Sequence, residues 1–598
     1  MGVGYTIDTP LKVAKLGIDS VVCIGDDILL ERLRKMYSGK FDIPYQEISK
    51  KVDDFRAKRI TSYLNMLNAS VSKAFDDFKK SGLQKKEEIK KYFDSLPDSS
   101  SIKREFNHLS EKYFNLEEIK KWIKSNLTAG SIDVNIMAKA DREYYDGNEK
   151  LGAEFNHAHS AVRGYARSNL RSSLVLSAGL NPRLYAYMEE FDDFYPDESG
   201  EIKKKIVLKV SDYRSALIQG KFLAKKGLWV SEFRIESGLN CGGHAFATEG
   251  LLMGPILAQF RDKRDELVET LHEVFTGAMK SKGKPLPNEP LNLEITAQGG
   301  VGTAEEHNFL LSHYKLDSIG WGSPFLLVPE VTNVDDETLD KLIAAKEEDL
   351  YLSNVSPLGI PFNNLKGNSK DQELLDRIMR NKPGSPCPKK YLALNTEFTD
   401  KPICTSSRQY QYLKLKELEK KEISKKQYQI EYDEIVSKSC ICIGLGTSAL
   451  LVNGLDTKTE GKGVSVCPGP NLAYFSKKLK LNEMIDHIYG RSNVISRTDR
   501  PHMFLKELDL YVDYLRNKIS RFTETTDKKE IRRHVDFAIN LQEGIHYYRE
   551  LFLNNKELQE MRGVISEFSY LENILKANEK NLNDILLGKS VRSELDGE

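Results

Sequence analysis

The chain has 598 residues, with 88 Lys and Arg balanced by 88 Asp and Glu, so its formal net charge is zero. A neutral balance gives no overall field to draw the protein to nucleic acid or to an anionic membrane. The chain is long enough for several domains and a large buried core. No apolar run reaches membrane-spanning length, no basic-then-apolar leader opens the sequence, and seven cysteines in so long a chain do not suggest a disulfide framework. These features predict a cytoplasmic protein in reducing surroundings that acts on a small molecule, with neither nucleic acid nor membrane as partner. They leave homo-oligomerisation open.

In chain order, Gly2 and Gly4 form a glycine turn, with a first strand expected at Tyr5 or earlier and a helix opening near Pro10. Strand-like residues 20–24 close on Gly25-Asp26-Asp27. Residues 28–130 change character: they are rich in Lys, Glu and Asp, with apolar residues at helical spacing, and read as a helical insertion. Further strands are expected at 133–137, 174–177, 206–210, 233–236, 293–298 and 317–321, alternating with helical stretches. About eight such units predict an α/β fold, a (β/α)8 TIM barrel over residues 1–330. His157 and His159, two apart in a helical stretch, do not share a face and read as polar surface or supporting groups. Residues 331–470 form a mixed loop and strand region holding five of the cysteines, and 471–598 an additional, mostly helical region.

The stretch Leu291–Pro329 organises the rest. It reads as strand, glycine turn (Gly299, Gly300, Gly302), helix, strand, and a second glycine turn (Gly322-Ser323). Parallel neighbours would present both turns side by side, and glycine lets bare backbone N–H groups approach a phosphate. In a (β/α)8 barrel the loops after strands seven and eight commonly build such a site. His244 follows a strand end and Gly242-Gly243 on the same rim. It reads either as a general base, since imidazole titrates near working pH, or as a structural histidine closing a loop.

Met1–Gly4, Val134-Asn135-Ile136, Gly238 with Gly242-Gly243-His244, Ala297 with Gly299-Gly300-Val301-Gly302, and Gly322-Ser323 with Phe325 resemble, in order and spacing, the nitronate monooxygenases (2-nitropropane dioxygenase-like enzymes). The resemblance covers residues 1–27 and 130–330. It implies an FMN-binding TIM barrel, with Gly299, Gly300, Gly302, Gly322 and Ser323 on the phosphate. It also implies that Gly2, Gly4, Asn135, Gly238, Gly242 and Gly243 lie near the flavin, with His244 removing a substrate proton. Ser237-Gly238-Leu239-Asn240-Cys241 stands where the family usually carries Gln-Gly-x-Glu-Ala, and residues 331–598 have no counterpart. An NAD(P)H-dependent flavin enoyl reductase, a glutamate-synthase-like FMN barrel and a non-catalytic flavin-binding scaffold with a helical partner-binding region remain alternatives.

Cys387, Cys404, Cys440, Cys442 and Cys467 raise a metal or iron–sulfur site, against which stands the absence of any CxxC pair; no metal ligand is assigned from sequence. Ser439–Leu445 reads as a strand that would point Cys440 and Cys442 the same way. The segment Cys467-Pro468-Gly469-Pro470-Asn471 reads as a rigid loop over the barrel mouth or as ordinary turn chemistry.

Overall fold

The computed structural model describes residues 3–81, 86–112, 116–177, 179–495, 497–522, 526–558 and 563–586. Gly2 lies outside them. Seven strands form one parallel sheet, in spatial order identical to chain order. They are β1 (Ser20–Cys23), β2 (Ile132–Ile136), β3 (Ser172–Leu176), β4 (Lys204–Val210), β5 (Val230–Glu236), β6 (Glu294–Gln298) and β7 (Ser318–Gly320). Helices cover the convex face, which buries Val22, Val134, Leu174, Leu208, Phe233 and Ile295 at 0–2% exposure. That face is apolar because burial of aliphatic area drives the helices onto it.

The opposite face curls around a cavity. Alternate residues of every strand line it: Val21 and Cys23, Asp133 and Asn135, Ser173 and Val175, Lys205 and Val207, Glu232 and Arg234, Thr296 and Gln298, Ser318 and Gly320. Its lower part is filled by polar groups rather than the branched aliphatic layers usual in such sheets. Arg234 pairs with Glu232 at 2.8 Å, and the Thr296 hydroxyl donates to Glu232 at 2.5 Å.

The strand expected at Tyr5 does not form. Residues 3–8 are turns, and the chain there bonds elsewhere. The Gly4 N–H donates to the Leu445 carbonyl at 2.9 Å, the Tyr5 carbonyl accepts from the Asn333 N–H at 2.8 Å, and the buried Tyr5 hydroxyl donates to the Ser465 carbonyl at 2.5 Å. The chain entering β1 is thus tied to the chain leaving β7, but not through a ladder.

Between β1 and β2 lie the helices Asp27–Lys40, Phe55–Ser81, Lys86–Asp94, Ser101–Lys112 and Leu116–Asn126, as the composition of 28–130 predicts. Ser439–Leu445 is not a strand: Ile441–Val452 is a helix with Cys440 at its N-cap. Its Ile441–Leu450 stretch is wholly buried, so its apolarity serves packing. Residues 142–170 are less helical than expected, with a small hairpin (Tyr145–Asp146, Glu149–Lys150) ahead of the helix His157–Ala166. Among the described residues no single helix is long and apolar enough to cross a membrane.

The helices Met503–Ile519, Lys528–Asn554 and Gly563–Leu586 share one hydrophobic core with the sheet. Phe504 and Tyr548, both fully buried, stack at 4.7 Å in that core. Phe504→Ala should therefore cost about 3–5 kcal/mol, lowering one common melting transition measured by circular dichroism. Separate melting of the helices, with the sheet transition unmoved, would contradict a shared core.

Candidate functional site

Parallel pairing of β6 with β7, in register at Gln298↔Gly320, brings the two glycine turns to adjacent places at the C-terminal edge of the sheet. Both open on the cavity, whose volume is about 1320 Å³. Small-molecule sites typically occupy roughly 300–1,000 Å³, so a cofactor and a substrate fit together. Gly299, Gly300, Gly322 and Ser323 line it, as do Gly238, Gly242, Gly243, His244 and Asn135. Gly4 and Gly302 do not.

The first turn needs its glycines. Gly299 and Gly300 have φ of 117° and 81°, a region that side chains avoid. A Cβ on Gly300 would strike the Asn240 side chain, and one on Gly299 would lie 2.6 Å from the Cys241 sulfur. The turn is held through its carbonyls. Gly300 O accepts from Arg500 at 2.9 Å, Val301 O from Asn471 at 2.8 Å, and Gly302 O bonds His487 at 2.8 Å. The Gly302 N–H donates to Glu306 at 2.9 Å, so it is already engaged. Among the described residues, the amides of Gly299, Gly300 and Val301 have no acceptor. A trans peptide directs N–H opposite to C=O, so the Val301 N–H faces away from Arg500.

Arg500 and Glu306 form a buried pair at 2.8 Å, their side chains 7% and 4% exposed. Burial alone would raise the Glu306 carboxyl; the Arg500 charge, with His502 and the Gly302 amide, holds it below the usual carboxylate range. Arg500 also donates to Asn471 at 2.9 Å. This cation is neutralised by its partner, which leaves backbone dipoles as the anion-binding element of the turn.

The second turn is open: a Cβ on Gly322 meets nothing within 4 Å. The Ser323 hydroxyl accepts from the Gly469 N–H at 2.7 Å. Cys467 O accepts from the Gly243 N–H at 3.1 Å. The segment Cys467–Asn471 therefore crosses the mouth and touches the loops after β5, β6 and β7. Gly242 serves this crossing, since a Cβ there would lie 2.5 Å from Cys467 O. Gly4 and Gly238 are likewise filled from the protein side, by Leu445 O in one case and by Phe246 O and the Tyr511 hydroxyl in the other.

His244 bonds the Ser356 hydroxyl through Nε2 at 2.7 Å and packs edge-on against Phe362. Burial, reinforced by the Lys209 charge, pushes its pKa down to about 4. The ring is neutral at pH 7, with one nitrogen free of a proton. Asn135 also faces the cavity, its amide 3.8 Å from the Cys23 sulfur.

Sequence reasoning missed the groups that close the site. Asp26 accepts from Lys389 at 2.6 Å and from Tyr391 at 2.9 Å. His157, within 2.8 Å of Arg56, joins Asp26 and Tyr391 in the cavity wall. The Gly25-Asp26-Asp27 turn was visible in sequence, but its partners lie more than three hundred and fifty residues away. No family model matches the chain, and no curated protein matches it.

Two outcomes test this geometry. Arg500→Ala leaves Glu306 buried without its cation and should cost about 3–5 kcal/mol in denaturant unfolding, with much of the loss recovered in the Arg500→Ala, Glu306→Gln double variant; a cost below about 1 kcal/mol would contradict a structural pair. Burial also depresses His157 to about 3 and His502 to about 4. The unfolded chain takes up protons near pH 6.5 while the folded chain resists until about pH 4, so stability is lost as pH falls across that window. Histidine-selective NMR, assigned with His244→Gln, should show the His244 ring titrating near pH 4; a midpoint near 6.5 would contradict its burial.

Proposed function

We propose that the protein is an FMN-dependent oxidoreductase resembling nitronate monooxygenases, built on a TIM barrel whose eighth position is taken by residues 3–8. One observation carries the reading: two glycine turns, side by side at the C-terminal ends of β6 and β7, open on a cavity that His244 and Asn135 also face. The donor set fits FMN. The phosphate would meet the amides of Gly299, Gly300 and Val301, with Gly322 giving room on the other side. Asn135, Gly243 and His244 would lie along the ring system.

FMN, when bound, supplies the electron-accepting chemistry. The chain's own groups position the substrate and move its proton. His244, kept neutral by burial, is in the form that takes a proton alpha to an activating group. Ser356 fixes the ring orientation through the 2.7 Å bond. The crossing segment Cys467–Asn471 and the helix Ile441–Val452 keep bulk water from the cavity side they cover.

Gly322 offers a position where an added Cβ meets no protein atom within 4 Å. Purified protein should carry or take up FMN, and Gly322→Val should weaken FMN binding at least tenfold, or about 1.4 kcal/mol, with unchanged melting. In the wild type, anaerobic bleaching by a nitronate supports the monooxygenase reading, and bleaching by NAD(P)H the enoyl reductase. A colourless protein that ignores added FMN would overturn the flavin reading and favour a scaffold.

A further inference from the structure

The rim of the cavity carries a charge that the mechanism above does not use. Lys139 follows the end of β2 in the loop that begins just after Asn135, and its side chain lines the cavity. The loop is fixed from both sides. The Ala138 N–H donates to the Ser177 hydroxyl at 2.9 Å, and the Asn181 amide donates to the Ala138 carbonyl at 2.7 Å. Asn181 is itself held as the cap of the helix Pro182–Met188, accepting from the Leu184 N–H at 3.1 Å. The loop after β3 makes room for the lysine: Gly179 has φ of 110°, and a Cβ there would strike the Lys139 stem and ammonium.

The stem ends over an aromatic ring. Lys139 Nζ stands 4.5 Å from the centroid of Phe246, a cation–π contact. Phe246 lies two residues beyond His244, and its N–H donates to the Gly238 carbonyl at 3.0 Å, which closes the loop after β5. The ring therefore joins the ammonium to the loop that carries the candidate base.

No carboxylate takes up this charge. Arg234 pairs with Glu232 at 2.8 Å and Lys209 with Glu236 at 3.4 Å, so these two cavity cations are neutralised. Asp141, the acid nearest in sequence, is engaged by His159 at 2.7 Å and by the Ala158 N–H at 2.7 Å. Among the described residues Lys139 makes no ion pair within 4 Å; its recorded partner is the Phe246 ring. Lys205 also lines the cavity, but at the opposite, N-terminal end of β4, beside Ser173. A lysine serving only to solvate the surface needs neither a clamped loop nor a glycine beneath its stem.

We propose that Lys139 receives the negative charge of the substrate, so that the site takes small carbon acids whose activating group ends in an anionic oxygen. The inference rests on the reading of His244 as proton acceptor. In that step a substrate C–H bond breaks, its proton goes to the unprotonated ring nitrogen of His244, and the electron pair moves onto an oxygen of the activating group. An ammonium already fixed where this charge appears lowers the barrier, because nothing has to reorient during the reaction. Three strands separate the end of β2 from that of β6 in the sheet, so the substrate anion and the cofactor phosphate have different partners.

Nitrate, a planar anion shaped like a nitronate head group, is the probe. Full-length protein and its Lys139→Met and Lys139→Arg variants are titrated with sodium nitrate by calorimetry at constant ionic strength. Loss of the charge-assisted contact should weaken nitrate binding at least about tenfold in Lys139→Met, while Lys139→Arg retains most of it and melting is unchanged in both. Equal affinity in wild type and Lys139→Met, or no saturable binding by wild type, would overturn the proposal. Nitroethane in deuterated buffer reports the proton step by NMR without any flavin. Exchange of its α-hydrogens should slow about 100-fold in Lys139→Met; an unchanged rate would also overturn the proposal. Nitrate binding that depends on Lys139, with no exchange by wild type, would sustain the anion site and refute the base reading. FMN uptake is scored separately, and its failure with nitrate binding intact counts against the flavin reading alone.

Discussion

The structure depends on how the Gly299–Gly302 turn is held. Its carbonyls are gripped by Arg500, Asn471 and His487, all from the C-terminal region, while Glu306 at the start of the next helix anchors Arg500 and caps Gly302. The Gly300–Val301 peptide, tied by its oxygen to Arg500, directs the Val301 N–H away from that side chain. The C-terminal region is thus a structural part of the rim. This explains why its helices share a core with the sheet: a rim group such as Arg500 can be placed to a few tenths of an ångström only if the element carrying it is packed rigidly.

The same constraint accounts for the burial of charge. Arg500–Glu306, Lys389–Asp26 and Arg56 and Arg59 with Asp27 all lie where the C-terminal half or the helical insertion meets the ends of the strands. Each cation already has its carboxylate. The polar interior of the curled sheet follows the same rule, with Glu232 serving both Arg234 and Thr296. Among the described residues, the backbone amides of Gly299, Gly300 and Val301 remain without an acceptor at the cavity, while the neutral His244 ring is held by Ser356.

Much of this was legible in the sequence because it is local. Seven of the eight expected strands form, and the strand–turn–helix–strand–turn order of Leu291–Pro329 is found, with Thr303 capping the helix Ala304–His313. Nine of the predicted site residues converge on one cavity for the same reason: each sits at a strand end, and parallel order brings strand ends together. What failed was non-local. The chain at Tyr5 is shaped by Leu445, Asn333 and Ser465, so no period-two signal there could decide it. Gly4 and Gly302 are glycines for the sake of Leu445 and Arg500, partners that single-sequence spacing does not reveal. The Ile441–Leu445 run is without a polar side chain, and such a run does not distinguish a buried strand from a buried helix.

If the amides of Gly299, Gly300 and Val301 hold the phosphate of FMN, the phosphate itself is the variable to change. Titration of the apoprotein with FMN and with riboflavin, followed by flavin fluorescence, separates the grip from burial of the ring. FMN should bind at least about 100-fold tighter than riboflavin, close to 2.7 kcal/mol. Equal affinity for the two flavins would contradict it.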